Sequence, residues 1–205
     1  MTTTGGVLHA ATGYDLLIWL LTLGRERRFR ERLLAPARLQ PGESVLDVGC
    51  GTGGLAMAAK RRVGGTGEVH GVDASPEMIA RANAKPRRAG LAARFEIALA
   101  ESLPFPDARF DVVLSTVMLH HLPRAVREQS VREMARVLRP GGRVLVVDFA
   151  GASRSGKGPR LHFHRAGHVQ PQALIDLVSG AGLRVAESGP VGMWKLYYVL
   201  GMASA

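Results

Sequence analysis

The sequence predicts an α/β protein built on a mostly parallel sheet with an antiparallel edge, and three observations carry that expectation. Short apolar runs alternate with helical patterns along most of the chain. The first run, Ser44-Val45-Leu46-Asp47-Val48, is continuous rather than alternating, as a strand buried on both faces should be. Two apolar segments close the chain, joined by Ser188-Gly189-Pro190-Val191-Gly192, a connection short enough for an antiparallel hairpin.

From Ala10 to Leu34 the pattern is helical, with Tyr14, Leu17, Ile18 and Leu21 on one face and Gly24 separating them from the basic segment Arg25 to Arg32. Two short helices are expected there, ahead of a turn at Gln40-Pro41-Gly42-Glu43. Strand one ends at the glycine-rich Gly49-Cys50-Gly51-Thr52-Gly53-Gly54, and a helix follows from Leu55 to Arg62 until Gly64-Gly65-Thr66-Gly67 stops it. Strand two is Glu68 to Asp73. Ser75-Pro76-Glu77 is a strong helix start, serine capping and proline in first position, for a helix to about Arg88. Strands three and four are Arg94 to Leu99 and Phe110 to Ser115, and a helix spans about Pro123 to Leu138. Arg139-Pro140-Gly141-Gly142 breaks it before strand five, Arg143 to Phe149. Gly151 to Gly167 reads as a long loop, Pro171 to Ala181 as a helix, and Leu183 to Glu187 and Met193 to Leu200 as the last two strands.

A chain of 205 residues, 46% of them hydrophobic, can bury one substantial core, so residues 1–205 are expected to form one domain. Residues 1–40 would supply leading lid helices and 41–205 the core. The sole cysteine, Cys50, excludes an internal disulfide and a cysteine zinc cluster, and favours a cytoplasmic location. Leu16 to Leu21 is too short to span a bilayer, and its charges follow it, the wrong order for a secretory signal. The net charge of +10 raises nucleic acid or anionic lipid as a partner.

The glycine turn points to a ligand. Gly49, Gly51 and Gly53 can take positive φ and let a molecule lie against the backbone, and the following helix offers its unpaired N–H groups. Asp47 leaves strand one toward the crevice where open α/β sheets bind ligands, and Asp73 follows the turn by roughly twenty residues, the distance that places a carboxylate on a ribose diol. A nicotinamide enzyme and a nucleoside-binding transferase both satisfy this pattern. The closing hairpin argues against the first. A nucleic-acid-binding module would use Arg25 to Arg38 and the Gly151 to Gly167 loop on phosphates, but would not set Asp47 and Asp73 in a crevice, where they repel phosphate.

Val45 to Gly53, the strand ending in Asp73, Leu103-Pro104-Phe105 followed by Phe110-Asp111, and Arg139-Pro140-Gly141-Gly142 together resemble the class I S-adenosylmethionine-dependent methyltransferases. Within that class the chain is most similar to the ubiquinone/menaquinone C-methyltransferase-like group. The resemblance implies a Rossmann-like seven-stranded sheet with a reversed last strand, helices on both faces, and S-adenosylmethionine as cofactor. It sets Gly49, Gly51 and Gly53 against the methionyl and ribose part, Thr52 on the cofactor carboxylate, Asp73 on the ribose hydroxyls, Ala74 and Met78 along the adenine and Ser115 at the sulfonium end. Tyr14 would close over the cofactor. One departure stands out: where the family commonly reads Gly-Asp-Ala-Glu, this chain has Ala98-Leu99-Ala100-Glu101, and Leu99 cannot accept the adenine amino hydrogen bond. Either Glu101 replaces it, or apolar stacking and the Ala100 backbone hold the ring.

A base is useful in methyl transfer when a hydroxyl or a carbon acid must lose a proton, and His120 and His121, just past strand four, are the candidates. His162, His164 and His168 lack carboxylate partners nearby, so no metal site is expected. The Asn/Asp-Pro-Pro-Tyr motif of base-methylating enzymes is absent, Ser115-Thr116-Val117-Met118 standing in its place, so the expected acceptor is a small molecule, lipophilic or anionic, rather than nucleic acid. Trp19 and Leu20 beside Arg27 and Arg28 would suit either peripheral contact with an anionic membrane or a dimer interface.

Overall fold

The computed structural model describes residues 26–89, 93–149, 170–192 and 194–205. Tyr14, Trp19, Leu20, the Gly151 to Gly167 loop and His162, His164 and His168 lie outside the described residues. Helix α1 (Glu26–Leu34) leads through a 3-10 turn (Ala35–Ala37) into β1 (Ser44–Val48). Helix α2 (Gly54–Val63), β2 (Glu68–Asp73), α3 (Pro76–Ala89), β3 (Arg94–Ile97) and β4 (Phe110–Thr116) follow. A 3-10 turn (Leu119–His121), α4 (Arg124–Val137), β5 (Leu138–Phe149), α5 (Pro171–Gly180), β6 (Arg184–Pro190) and β7 (Leu196–Met202) complete it.

The seven strands form one sheet in the order β3-β2-β1-β4-β5-β7-β6. Strands β1 to β5 pair in parallel, and β7 runs antiparallel between β5 and β6. Strand β1 is buried along its whole length, as its unbroken apolar run requires. One hydrophobic cluster packs Phe29, Leu33 and Leu34 of α1 and the alanines of α2 against Val45, Val69 and Leu114. The other packs Val131 and Met134 of α4 and Leu174 and Val178 of α5 against Leu46, Val113 and Val146. The Ser75 hydroxyl accepts the Met78 N–H at 3.3 Å, so the serine caps α3 as its sequence predicts.

Three boundaries differ from the sequence reading. Strand β5 begins at Leu138 instead of Arg143: Leu138 pairs with Phe110, the next register pair is Val112 with Arg143, and the intervening Arg139-Pro140-Gly141-Gly142 bulges out with Gly141 at φ 74°. A motif read as a break is a bulge inside a strand. The turn of the final hairpin is shifted three residues along. Strand β6 continues to Pro190, the Val191 N–H closes the turn on the Leu196 carbonyl at 2.9 Å, and Gly192, Trp194 and Lys195 supply the left-handed backbone. Strand β3 stops at Ile97, leaving Leu99 to bridge Ser102.

Many of the arginines behind the positive charge are paired. Arg62 meets Glu31, Arg109 meets Glu68, Arg136 meets Glu133 and Asp107, Arg139 meets Asp111 and Arg143 meets Glu43. Arg27 and Arg28 are exposed on α1. No helix among the described residues is long and apolar enough to cross a membrane.

Candidate active site

Strands β1, β2, β4 and β5 are parallel, so Asp47, Asp73, Ser115 and Asp148, each near the carboxyl end of its strand, come to one edge of the sheet. Strand order reverses between β1 and β4, and a crevice opens at such a reversal. Sequence and topology thus agree on the place.

The glycine turn is left-handed at Gly49 (φ 75°), Gly51 (φ 53°) and Gly53 (φ 74°), a conformation that would strain a residue bearing a Cβ. The N–H groups of Gly49 and Cys50 both donate to the Val72 carbonyl, at 2.8 and 2.9 Å, and Gly51 donates to Asp73 Oδ2 at 2.8 Å. Asp73 Oδ1 accepts the Ser75 N–H at 2.9 Å. Asp73 therefore ties the turn to the start of α3 while each of its oxygens keeps further acceptor capacity. Ala74 is exposed beside it and Met78 is buried one helical turn on. The Ala98 N–H donates to the Asp73 carbonyl at 3.2 Å, which sets the half-buried Leu99, Ala100 and Glu101 along the same edge.

Asp47 is 1% exposed, and neither of its oxygens has a hydrogen-bond partner. Burial pushes its pKa up to about 7. The Ala56 amide, in the first turn of α2, approaches without completing a hydrogen bond and offsets part of that rise; the Asp73 carboxylate adds to it and the Arg30 guanidinium opposes it. Ser115 Oγ, one strand over, is equally buried and unpartnered. Thr52 is 2% exposed and has a partner within the protein.

His120 and His121 occupy the 3-10 turn after β4, their rings 3.9 Å apart. Three N–H groups converge on the fully buried Asp148: the His120 amide on Oδ2 at 2.9 Å, and the Phe149 amide and the His120 Nδ1–H on Oδ1, each at 2.7 Å. A carboxylate only accepts, so Nδ1 carries the proton, and in the neutral ring Nε2 is then the acceptor. Phe149 packs edge-on against the His120 ring at 5.2 Å. His121 has its pKa lowered by shielding from water and then by His120, with Asp148 opposing, although part of the residue is exposed.

Sequence reasoning passed over four residues of this region. Asp148 interrupts the apolar run of β5 as Asp47 interrupts that of β1, and the same argument would have found it. Met118 fills the space over Gly49, so that a Cβ there would fall inside its side chain. Val117 holds φ 53°, a strained setting for a β-branched residue, with its N–H on the Val147 carbonyl at 2.8 Å. Arg30 is one arginine in a run of them, and no local signal sets it apart.

The methyltransferase-domain family model matches residues 45–142. The ubiquinone/menaquinone biosynthesis C-methyltransferase of Laribacter hongkongensis is 39% identical over 145 residues, 70% of this chain and 59% of that protein. The demethylmenaquinone methyltransferase of Thermus thermophilus is 40% identical over 172 residues, covering 83% of this chain and 75% of the relative. The chain belongs to the class I S-adenosylmethionine-dependent methyltransferases, in their ubiquinone/menaquinone C-methyltransferase-like group. A solved S-adenosylmethionine-dependent methyltransferase from Aquifex aeolicus shares this fold with a TM-score of 0.72 at 25% identity, over 84% of this chain and 88% of that one. This methyltransferase chain spans well under two thirds of the Laribacter protein. Among its described residues no cluster of histidine, cysteine and carboxylate side chains could hold a metal ion.

Proposed function

We propose that the protein transfers a methyl group from S-adenosylmethionine to a small lipophilic aromatic acceptor of the hydroquinone class, at a ring carbon. The single observation that carries the cofactor assignment is the buried, unpartnered Asp47 carboxylate beside a glycine cradle. An orphaned buried acceptor is costly unless a cation or donor meets it, and an amino-acid ammonium supplies both. Asp73 retains acceptor capacity for two ribose hydroxyls, and Ser115 Oγ is a free polar group for the sulfonium end of the crevice. The acceptor class is taken from the names of the two relatives.

A bound sulfonium brings its methyl group already activated. What the protein adds is orientation, exclusion of water and a place for the acceptor's proton. Gly49 to Gly53 and Asp73 fix the nucleoside, while Met118 packs over Gly49. The unprotonated Nε2 of His120 takes the acceptor's hydroxyl proton, which raises electron density on the adjacent ring carbon as it attacks. The methyl–sulfur bond breaks to leave the thioether, and the methylated carbon then gives up its own hydrogen as the oxygen regains one, restoring the aromatic ring. Asp148 keeps Nδ1 protonated and the ring aimed. His121, its pKa lowered by shielding from water and then by His120, flanks this base.

Calorimetry with S-adenosylhomocysteine and NAD tests the reading. The wild-type chain should bind the first and not the second, and Asp73→Ala should lose about 2 kcal/mol or more, because charged hydrogen bonds to two hydroxyls disappear and the Gly51 and Ser75 anchors go with them. NAD binding, or an unaffected Asp73→Ala variant, would overturn it.

Adenine recognition gives a separate expectation. Leu99→Asp should tighten S-adenosylhomocysteine binding severalfold if the adenine amino group lacks a carboxylate, provided burial of the new charge costs less than the bond it gains. If Glu101 already serves, Glu101→Gln should weaken binding instead. Titration of both variants decides, and no change in either would remove this segment from the adenine site.

A further inference from the structure

Arg30 is the only charged side chain of α1 that reaches the glycine turn among the contacts described. Its guanidinium lies so close over Gly54, the first residue of α2, that a Cβ there would fall inside it. A Cβ at this helical position would meet no backbone, only the guanidinium end of Arg30, which marks how closely the arginine covers the start of α2. The Arg30 side chain is 21% exposed and pairs with Glu26 on its own helix. Beneath the same first turn of α2 sits Asp47, buried and without a partner, and its charge is felt by both Arg30 and the Ala56 amide. A helix start of this kind carries unpaired N–H groups and partial positive charge, and a guanidinium over it makes a two-sided seat for a carboxylate.

The geometry points to Arg30 as the residue that receives the carboxylate of the cofactor's amino-acid end, with Asp47 taking the ammonium of the same group. This rests on the S-adenosylmethionine reading above and adds to it. A zwitterion is matched by opposite charges at one helical turn, Arg30 against Gly54 and Asp47 near the Ala56 amide. Thr52, to which the family resemblance assigns the carboxylate, is buried with a partner of its own. Glu26 then acts as a placeholder: it satisfies the guanidinium and is exchanged for the cofactor's carboxylate. Because Arg30 belongs to α1, cofactor binding would also fasten that helix onto α2, across which Phe29 and Leu33 already pack.

The test compares two probes with the same nucleoside and thioether, S-adenosylhomocysteine and 5′-methylthioadenosine, which lacks the amino-acid end. By calorimetry, Arg30→Met should lose S-adenosylhomocysteine affinity by about 10- to 100-fold, the value of a charge-assisted bidentate pair, and keep methylthioadenosine affinity within about twofold. Glu26→Gln should bind S-adenosylhomocysteine at least as tightly as wild type, since it removes the competitor. Equal losses for both probes in Arg30→Met, or matching losses in Arg30→Met and Glu26→Gln, would mean that the ion pair only holds α1 in place and would overturn the inference. Wild-type binding of methylthioadenosine as tight as that of S-adenosylhomocysteine would overturn it while leaving the cofactor reading intact. Binding of neither probe would bring down both.

Discussion

Asp47→Asn is expected to make the protein harder to unfold at pH 8 and poorer at holding its cofactor. The Asp47 carboxyl has a pKa of about 7 in the fold against 3.8 for an ordinary aspartate. Between those values the folded chain keeps a proton that the unfolded chain releases, so folding is favoured on the acid side and that advantage is lost as the pH rises through 7. With the group ionised, the difference amounts to roughly 4 kcal/mol of lost stability above pH 8. Asparagine removes the charge at nearly constant shape, though its buried amide donors would return about 1–3 kcal/mol of the gain. Urea unfolding at pH 5.5 and pH 8.5 measures the contrast. The wild type should weaken across that range more than Asp47→Asn does, and parallel curves would show that Asp47 is not the titrating group. S-adenosylhomocysteine affinity should fall in the same variant, because the ammonium loses its counter-charge.

His120→Ala is expected to slow methyl transfer by about 10²- to 10⁴-fold, the usual contribution of a positioned base, with S-adenosylhomocysteine affinity unchanged. Reduced demethylmenaquinone is the acceptor to try first, given what the Thermus relative is named for. Added imidazole should restore part of the rate, since the ring leaves a space between Phe149 and His121 that a small base can enter. Asp148→Asn should slow the rate in the same direction without imidazole rescue, because Asp148 acts through the orientation of His120 and touches no acceptor. Proportional losses of cofactor affinity and rate in His120→Ala, with no rescue, would reduce the histidine to packing.

The parts of this fold that the sequence made legible are those with one dominant local signal. The unbroken apolar run of β1, the serine cap of α3 and the glycines of the turn each have a single physical cause, and the structure has them where the residues say. The boundaries that moved are those where two causes compete. Arg139-Pro140-Gly141-Gly142 has the composition of a break, yet pairing with β4 and the backbone of Ala203 and Ser204 holds it in the sheet as a bulge. The last turn moved because Trp194 and Lys195 take left-handed backbone that their side chains do not favour, a choice made by tertiary packing, the Trp194 ring lying 4.6 Å from Phe29. In the site, Asp47, Asp73 and His120 could be named from strand ends alone. Arg30 could not, because its position depends on how α1 crosses α2, and that crossing is written in no short stretch of chain.

Cys50 sits in the middle of the glycine turn, 8% exposed, and burial, followed by the Asp47 and Asp73 carboxylates, pushes its thiol pKa far above the ordinary range. The thiolate, not the thiol, is the reactive form of cysteine, and this sulfur packs into the hydrophobic cluster with Phe29, Val69 and Phe95. Burial, more than the two neighbouring acids, keeps this sulfur protonated. The glycine turn thus holds a cysteine that behaves as a small apolar core residue and stays chemically quiet.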